Sequence, residues 1–141
     1  MIYNDRSALV KLVLTEPESG QLFRYVNETS EDGHGSSELA IPEICRALRR
    51  NNADKKRPAD SPQLHQQLIL AETLMKRLSL AILDGDILRC AAAFVDPALR
   101  TLDAIHLASA QKLGDDVTAF VTYDARLHSA ATAVGLNAVS P

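Results

Sequence analysis

The chain has 141 residues, a formal charge of −3, 46% hydrophobic residues and 23% charged ones, which is the balance of one globular domain spanning 1–141. With 4% aromatics and no Trp it excludes base stacking as the main means of gripping a nucleic acid, and no apolar run approaches bilayer-spanning length. Cys45 and Cys90 stand in neither metal-type nor redox-type spacing. They read as reduced, buried thiols of a cytoplasmic protein with no leader segment.

Met1-Ile2-Tyr3 predicts a short strand, and Asn4-Asp5-Arg6-Ser7 a polar turn into a helix carrying Ala8, Leu9, Leu12 and Val13. A second helix is expected over about 17–28, with Pro17 in its first turn. Residues 27–37 are polar and Gly-bearing, which predicts a loop with little room for a strand. Ile41, Ile44, Cys45 and Leu48 fall at i, i+3, i+4 and i+7, one buried helix face. A polar, basic stretch over 51–62 leads to the longest helix, on which Leu64, Leu68, Ala71, Met75, Leu78 and Ile82 recur by four and three. These two helices predict an antiparallel hairpin.

Asp86-Ile87-Leu88 reads as a short strand followed by an Ala-rich turn. Thr101 is a natural N-cap for the helix carrying Leu102, Ile105 and Leu113, which Gly114 ends. Residues 117–123 make the clearest strand, rich in β-branched and aromatic side chains. Asp124 opens a last helix with Leu127, Ala130, Ala131 and Val134 inward, and 137–139 closes as an edge strand. Strands alternating with helices predict a three-layer α/β/α domain with a short parallel sheet.

Four carboxylates stand at element ends: Asp5 and Asp124 after strands, Asp103 at a helix start, and Glu43 beside a buried helical stripe. In an open parallel sheet, ligands bind outside the carboxyl ends of the strands. Carboxylates gathered there would repel and raise one another's pKa unless a cation intervened, and hard divalent cations prefer oxygen ligands. The set therefore predicts a Mg²⁺ or Mn²⁺ site that hydrolyses phosphodiesters. Each residue also has an ordinary explanation, since Asp caps helix N-termini and Glu often sits in solvent.

The sequence resembles the PIN-domain ribonucleases, in particular the VapC-like toxins of bacterial toxin–antitoxin pairs. The resemblance rests on four segments in order: Met1-Ile2-Tyr3-Asn4-Asp5-Arg6-Ser7-Ala8-Leu9; Ser37-Glu38-Leu39-Ala40 leading to Glu43 and Arg46; Leu99-Arg100-Thr101-Leu102-Asp103-Ala104-Ile105-His106-Leu107-Ala108; and Phe120-Val121-Thr122-Tyr123-Asp124-Ala125-Arg126-Leu127. It implies a PIN-like fold and a Mg²⁺- or Mn²⁺-dependent endoribonuclease whose ligands map to Asp5, Glu43, Asp103 and, more peripherally, Asp124. It also implies a homodimer inhibited by a cognate VapB-like antitoxin. Three departures stand out. Asn4 and Arg6 flank Asp5 where the family usually has Leu and Thr. Pro42 precedes Glu43, which predicts a late or kinked helix start. The segment before Ser37 lacks an apolar strand.

Around the carboxylates, Ser7 is expected either to hydrogen-bond Asp5 or to cap the first helix, and Thr122 to orient Asp124 or a water. Arg6 is a candidate either to grip a substrate phosphate or to pair with Asp5 and compete with the metal. Arg46 and Arg49, among six cations over residues 46–57, are candidates for contact with RNA phosphates. The same cations would equally suit a helix C-terminus and a solvated loop. His106, one turn from Asp103, is expected to be a packed residue, either supporting the metal ligands from behind or purely structural, rather than a catalyst. His34, His65 and His128 are expected at the surface. The alternatives to a toxin are a processing nuclease of the same fold and a catalytically silent module that binds RNA or protein.

Overall fold

A computed structural model describes residues 1–141. Five short parallel strands form the middle layer in the order β3-β2-β1-β4-β5. They are β1 (Ile2–Asn4), β2 (His34–Ser37), β3 (Ser79–Ala81), β4 (Ala119–Val121) and β5 (Ala138–Val139). The helices are α1 (Arg6–Lys11), α2 (Ser19–Glu28), α3 (Ala40–Asp54), α4 (Pro62–Met75), α5 (Gly85–Ala93), α6 (Thr101–Leu113) and α7 (Ala125–Ala133).

Strand alternation divides the core. Ile2, Ala119 and Val121 face one way, against Leu9, Leu22, Ile44, Leu48 and Leu64 from α1 to α4. Tyr3 and Phe120 face the other, against Leu107, Leu127 and Ala131 from α6 and α7. Tyr3 and Phe120 are register partners, and their rings stack 5.2 Å apart. Helices on both faces of a parallel sheet give the three-layer α/β/α architecture. The chain leaves central β1 for β2 and later returns to β4 on its other side. That reversal opens a crevice at the carboxyl ends of β1 and β4.

Three predicted elements differ. Residues 34–37 form β2, because backbone pairing to β1 and β3 on both sides replaces the missing apolar side chains. The long helix stops at Met75, and Ser79–Ala81 pairs with β2 as an edge strand, leaving Ile82 largely exposed. Asp86-Ile87-Leu88 lies within α5, because Asp84 Oδ1 accepts the Asp86 and Ile87 amides and caps a helix there.

Smaller expectations shift too. Helix α2 starts at Ser19, two residues after Pro17. Thr101 is the first residue of α6, preceded by Arg100 in extended conformation, and supplies no cap. Ile41 is exposed and Cys45 half-buried, so the α3 stripe is narrower than its spacing suggests; Cys90 is exposed on α5. Pro42 falls in the first turn of α3, where its missing N–H breaks no helical bond, so the helix starts at Ala40 without delay.

The hairpin of α3 and α4 is closed by side chains. Asn52 Nδ2 donates to Pro58 O at 2.8 Å, and Ser61 Oγ donates to Asn52 Oδ1 at 2.7 Å. Ser61 Oγ also accepts the Leu64 amide and caps α4.

Candidate metal centre

Asp5 follows β1 directly and is nearly inaccessible to solvent. It caps α1 itself: Oδ1 accepts the Ala8 amide at 3.1 Å and the Ser7 hydroxyl at 2.6 Å. Ser7 therefore serves Asp5 rather than the helix end. Oδ2 accepts from Thr122 Oγ1 at 3.1 Å, and that same hydroxyl oxygen accepts the Asp124 amide at 3.1 Å. Thr122 thus ties the end of β1 to the end of β4. Ser7 Oγ also accepts the Tyr123 amide at 2.7 Å, a second tie between the two loops. Burial pushes the Asp5 carboxyl above its usual range, partly offset by nearby His106 and by these donors.

Asp103 sits in the first turn of α6, half-buried, with no hydrogen bond or ion pair of its own. Its carboxyl is also pushed up, first by burial and then by the charges of Asp124 and Asp5. Three aspartates from three separate chain segments therefore share one field at the carboxyl edge. Asp124 is turned toward its own helix, where Oδ1 accepts the Arg126 and Leu127 amides and caps α7, 3.9 Å from Arg126 Nε.

Glu43 reaches in from the first turn of α3, where Oε2 accepts from His106 Nε2 at 2.8 Å. His106 is buried on α6, and its Nδ1 lies 2.9 Å from the hydroxyl of buried Tyr3. Desolvation drives the Tyr3 phenol well above its ordinary pKa, so it stays protonated. Sequence reasoning passed over Tyr3 and expected His106 to be packed behind the metal ligands or structural, without naming Glu43 as its partner. No local signal marks a bond between residues so far apart in the chain.

Arg6, beside Asp5, shares a cavity of about 420 Å³ with Ser7, Lys11, Arg50 and Tyr123. Arg46 and Arg49 are exposed and do not line it. Arg50 lies seven residues, two helical turns, beyond Glu43 and so on its face of α3. Lys11 was also overlooked. Its ammonium bridges Glu16 at 2.6 Å and Glu18 at 2.7 Å and sits over the Tyr123 ring, 4.8 Å from the centroid.

Asn4 is buried, and its polar group has company. Nδ2 donates to Ile2 O at 3.1 Å and lies 3.2 Å from His34 Nδ1, while His34 Nε2 is 3.1 Å from Thr29 Oγ1. His34 is therefore part of the interior edge rather than a free surface residue. Asn4 Oδ1 remains without a partner.

No three His, Cys, Asp or Glu side chains are closed round a single point as a bound metal requires. The donor chemistry nonetheless fits a hard divalent cation. The aspartates offer only oxygen, neither Asp5 nor Asp103 has a cationic side chain in an ion pair, and the repulsion that raises Asp103 is what a cation removes.

A PIN domain family model matches residues 2–133. The chain belongs to the PIN-domain family. Among PIN relatives in Mycobacterium tuberculosis, it is 41% identical to ribonuclease VapC35 over the whole of this chain and 97% of that protein. Ribonuclease VapC46 is 37% identical over 99% of this chain and 97% of its own length. Ribonuclease VapC47 is 35% identical over the whole of this chain and 97% of its own. No helix of this PIN domain is long and apolar enough to cross a membrane.

Proposed function

We propose that this protein is a Mg²⁺- or Mn²⁺-dependent endoribonuclease, the toxin of a cytoplasmic toxin–antitoxin pair. The observation that carries the reading is the carboxyl edge of a PIN sheet where Thr122 joins the Asp5 carboxylate to the Asp124 loop and Asp103, in the first turn of α6, lies close enough for its carboxyl to be raised by both. The names of the full-length relatives, all ribonucleases of the VapC series, support RNA as the substrate.

Asp5, Asp103 and Glu43 would hold the cation, with Asp124 in reach once it gives up its cap. When bound, the cation supplies Lewis acidity that lowers the pKa of a water and offsets charge on the phosphate. The protein's own residues do the rest. Ser7 and Thr122 fix the Asp5 carboxylate in one orientation, so its lone pairs stay aimed without rearrangement. Arg6 and Arg50 offer guanidinium groups free of ion pairs to the phosphates that flank the scissile bond. Few aromatics line this region, which suits recognition by RNA shape and backbone.

A VapB-like antitoxin and a second copy of the chain are the protein partners this reading expects. An apolar trough of about 520 Å³ between α3 and α4, bordered by Ile41, Leu68 and Met75, supports docking of a protein segment.

The test is cleavage of a structured RNA by purified protein. Activity should require Mg²⁺ or Mn²⁺ and fall at least 100-fold in Asp5→Asn and in Asp103→Asn. Activity that persists in both variants, or in chelator, overturns the proposal. Growth arrest on expression, relieved by a short adjacent gene, separates a toxin from a processing nuclease.

A further inference from the structure

We infer that Tyr3 and His106 are positioning residues that present Glu43 to the divalent cation; this rests on the metal-dependent reading above. Asp5, Asp103 and Glu43 come from the same three elements as the hydrogen-bonded chain Tyr3–His106–Glu43: the end of β1, α6 and α3. Tyr3 lies two residues before Asp5 along β1, so the two belong to one side of the extended chain. His106 lies three residues after Asp103 on α6, on the same helix face. Glu43 is the contribution of α3, and His106 is its sole side-chain partner. A glutamate on a first helical turn has three free torsions. Bonded to a ring locked inside the core, it keeps one direction.

The atoms assign the tautomer. An ionised carboxylate only accepts, so His106 Nε2 carries the proton. In the neutral ring Nδ1 then accepts, and the Tyr3 hydroxyl donates to it at 2.9 Å. Tyr3 and His106 are both fully enclosed, so neither ring can swing away to release Glu43. Partners of this kind, behind metal ligands, fix the orientation of the ligand, and their loss weakens metal affinity by about 10- to 100-fold. A purely structural role would only satisfy two buried polar groups and would leave metal affinity alone.

The experiment is calorimetric titration of the full-length protein with Mn²⁺, alongside ¹⁵N NMR of its imidazoles. Wild type should bind Mn²⁺ and Asp5→Asn should lose it, which tests the metal reading by itself. His106→Ala should weaken Mn²⁺ about 10- to 100-fold. His106→Gln, whose amide can donate near the position of Nε2, should recover most of that loss. Tyr3→Phe, which removes one oxygen atom, should weaken Mn²⁺ less than His106→Ala does. The NMR spectrum should show His106 protonated at Nε2 and bare at Nδ1. Unchanged Mn²⁺ affinity in folded His106→Ala and Tyr3→Phe, or a proton on Nδ1 alone, overturns the inference while the metal site stands. Absence of Mn²⁺ binding in wild type overturns both. Should His106→Ala fail to fold, Tyr3→Phe and the wild-type tautomer still decide.

Discussion

Asp5 caps a helix, anchors two hydroxyls and carries a charge that burial makes costly, all with one carboxylate. These roles separate on substitution. Asp5→Asn keeps Oδ1 as an acceptor for Ser7 and the Ala8 amide but removes the buried charge. The variant should lose RNA cleavage while its metal-free melting temperature at neutral pH rises, measured by calorimetry in chelator. A lower melting temperature would mean that the hydrogen bonds to the charge outweigh its desolvation. Gly35 is constrained by space rather than by charge. A Cβ there would stand 2.8 Å from Ser79 O and 3.0 Å from Met1 Sδ, one of them rigid backbone. Gly35→Ala should therefore cost about 1–3 kcal/mol by forcing β2 and β3 apart, read as a lower denaturant midpoint. Ala at Gly20, where nothing lies within 4 Å, is the control.

Helix α3 shows what an element does for the site. Its first turn delivers Glu43, and two turns later Arg50 returns to the same face, whereas Arg49 points elsewhere. In a cleavage-dead Asp103→Asn background, Arg50→Ala should weaken RNA binding and reduce its salt slope by about one, and Arg49→Ala should leave the slope unchanged. Fluorescence anisotropy at several salt concentrations distinguishes the two. The basic run was visible in the sequence, but which of its cations lines the cavity beside Arg6 depends on helical phase. Strand β4 was legible because β-branched and aromatic residues cluster there. Strand β2, His34-Gly35-Ser36-Ser37, was not, because it holds its place by backbone pairing on both sides. Strand β3 was misread as helix because Leu78 and Ile82 continue the α4 period, and only its register with β2 breaks that pattern. Asp5, Asp103 and Asp124 were legible as candidates because each stands at an element end. The bond from His106 to Glu43 spans 63 residues and the one to Tyr3 spans 103, so neither leaves a local mark.

At the scale of the whole molecule the site works against the stability of the metal-free fold. Asp5 and Asp103 both have folded pKa values above their unfolded ones. Such groups bind protons more tightly when folded. Their contribution is full below the unfolded value of about 4 and is lost as pH rises through the folded value. The exposed carboxylates Glu18, Glu72 and Asp84 act in the opposite sense. Lys11, Lys76 and Lys112 hold them below their ordinary range, so their contribution is present at neutral pH and lost on acidification through their folded values. These are solvent-screened surface pairs, and their effect is small. In chelator, the melting temperature should therefore rise as pH falls from neutrality toward the carboxylate range, then turn over as the surface pairs protonate. Saturating Mn²⁺ should flatten the rising limb, because a bound cation stabilises the ionised aspartates in the fold and adds its own binding free energy. The Asp5→Asn variant should show a shallower limb and little response to Mn²⁺. A chelated wild type whose melting temperature falls steadily with acidification would place the dominant titrating groups elsewhere. It would remove the electrostatic argument that these carboxylates are held together for a cation.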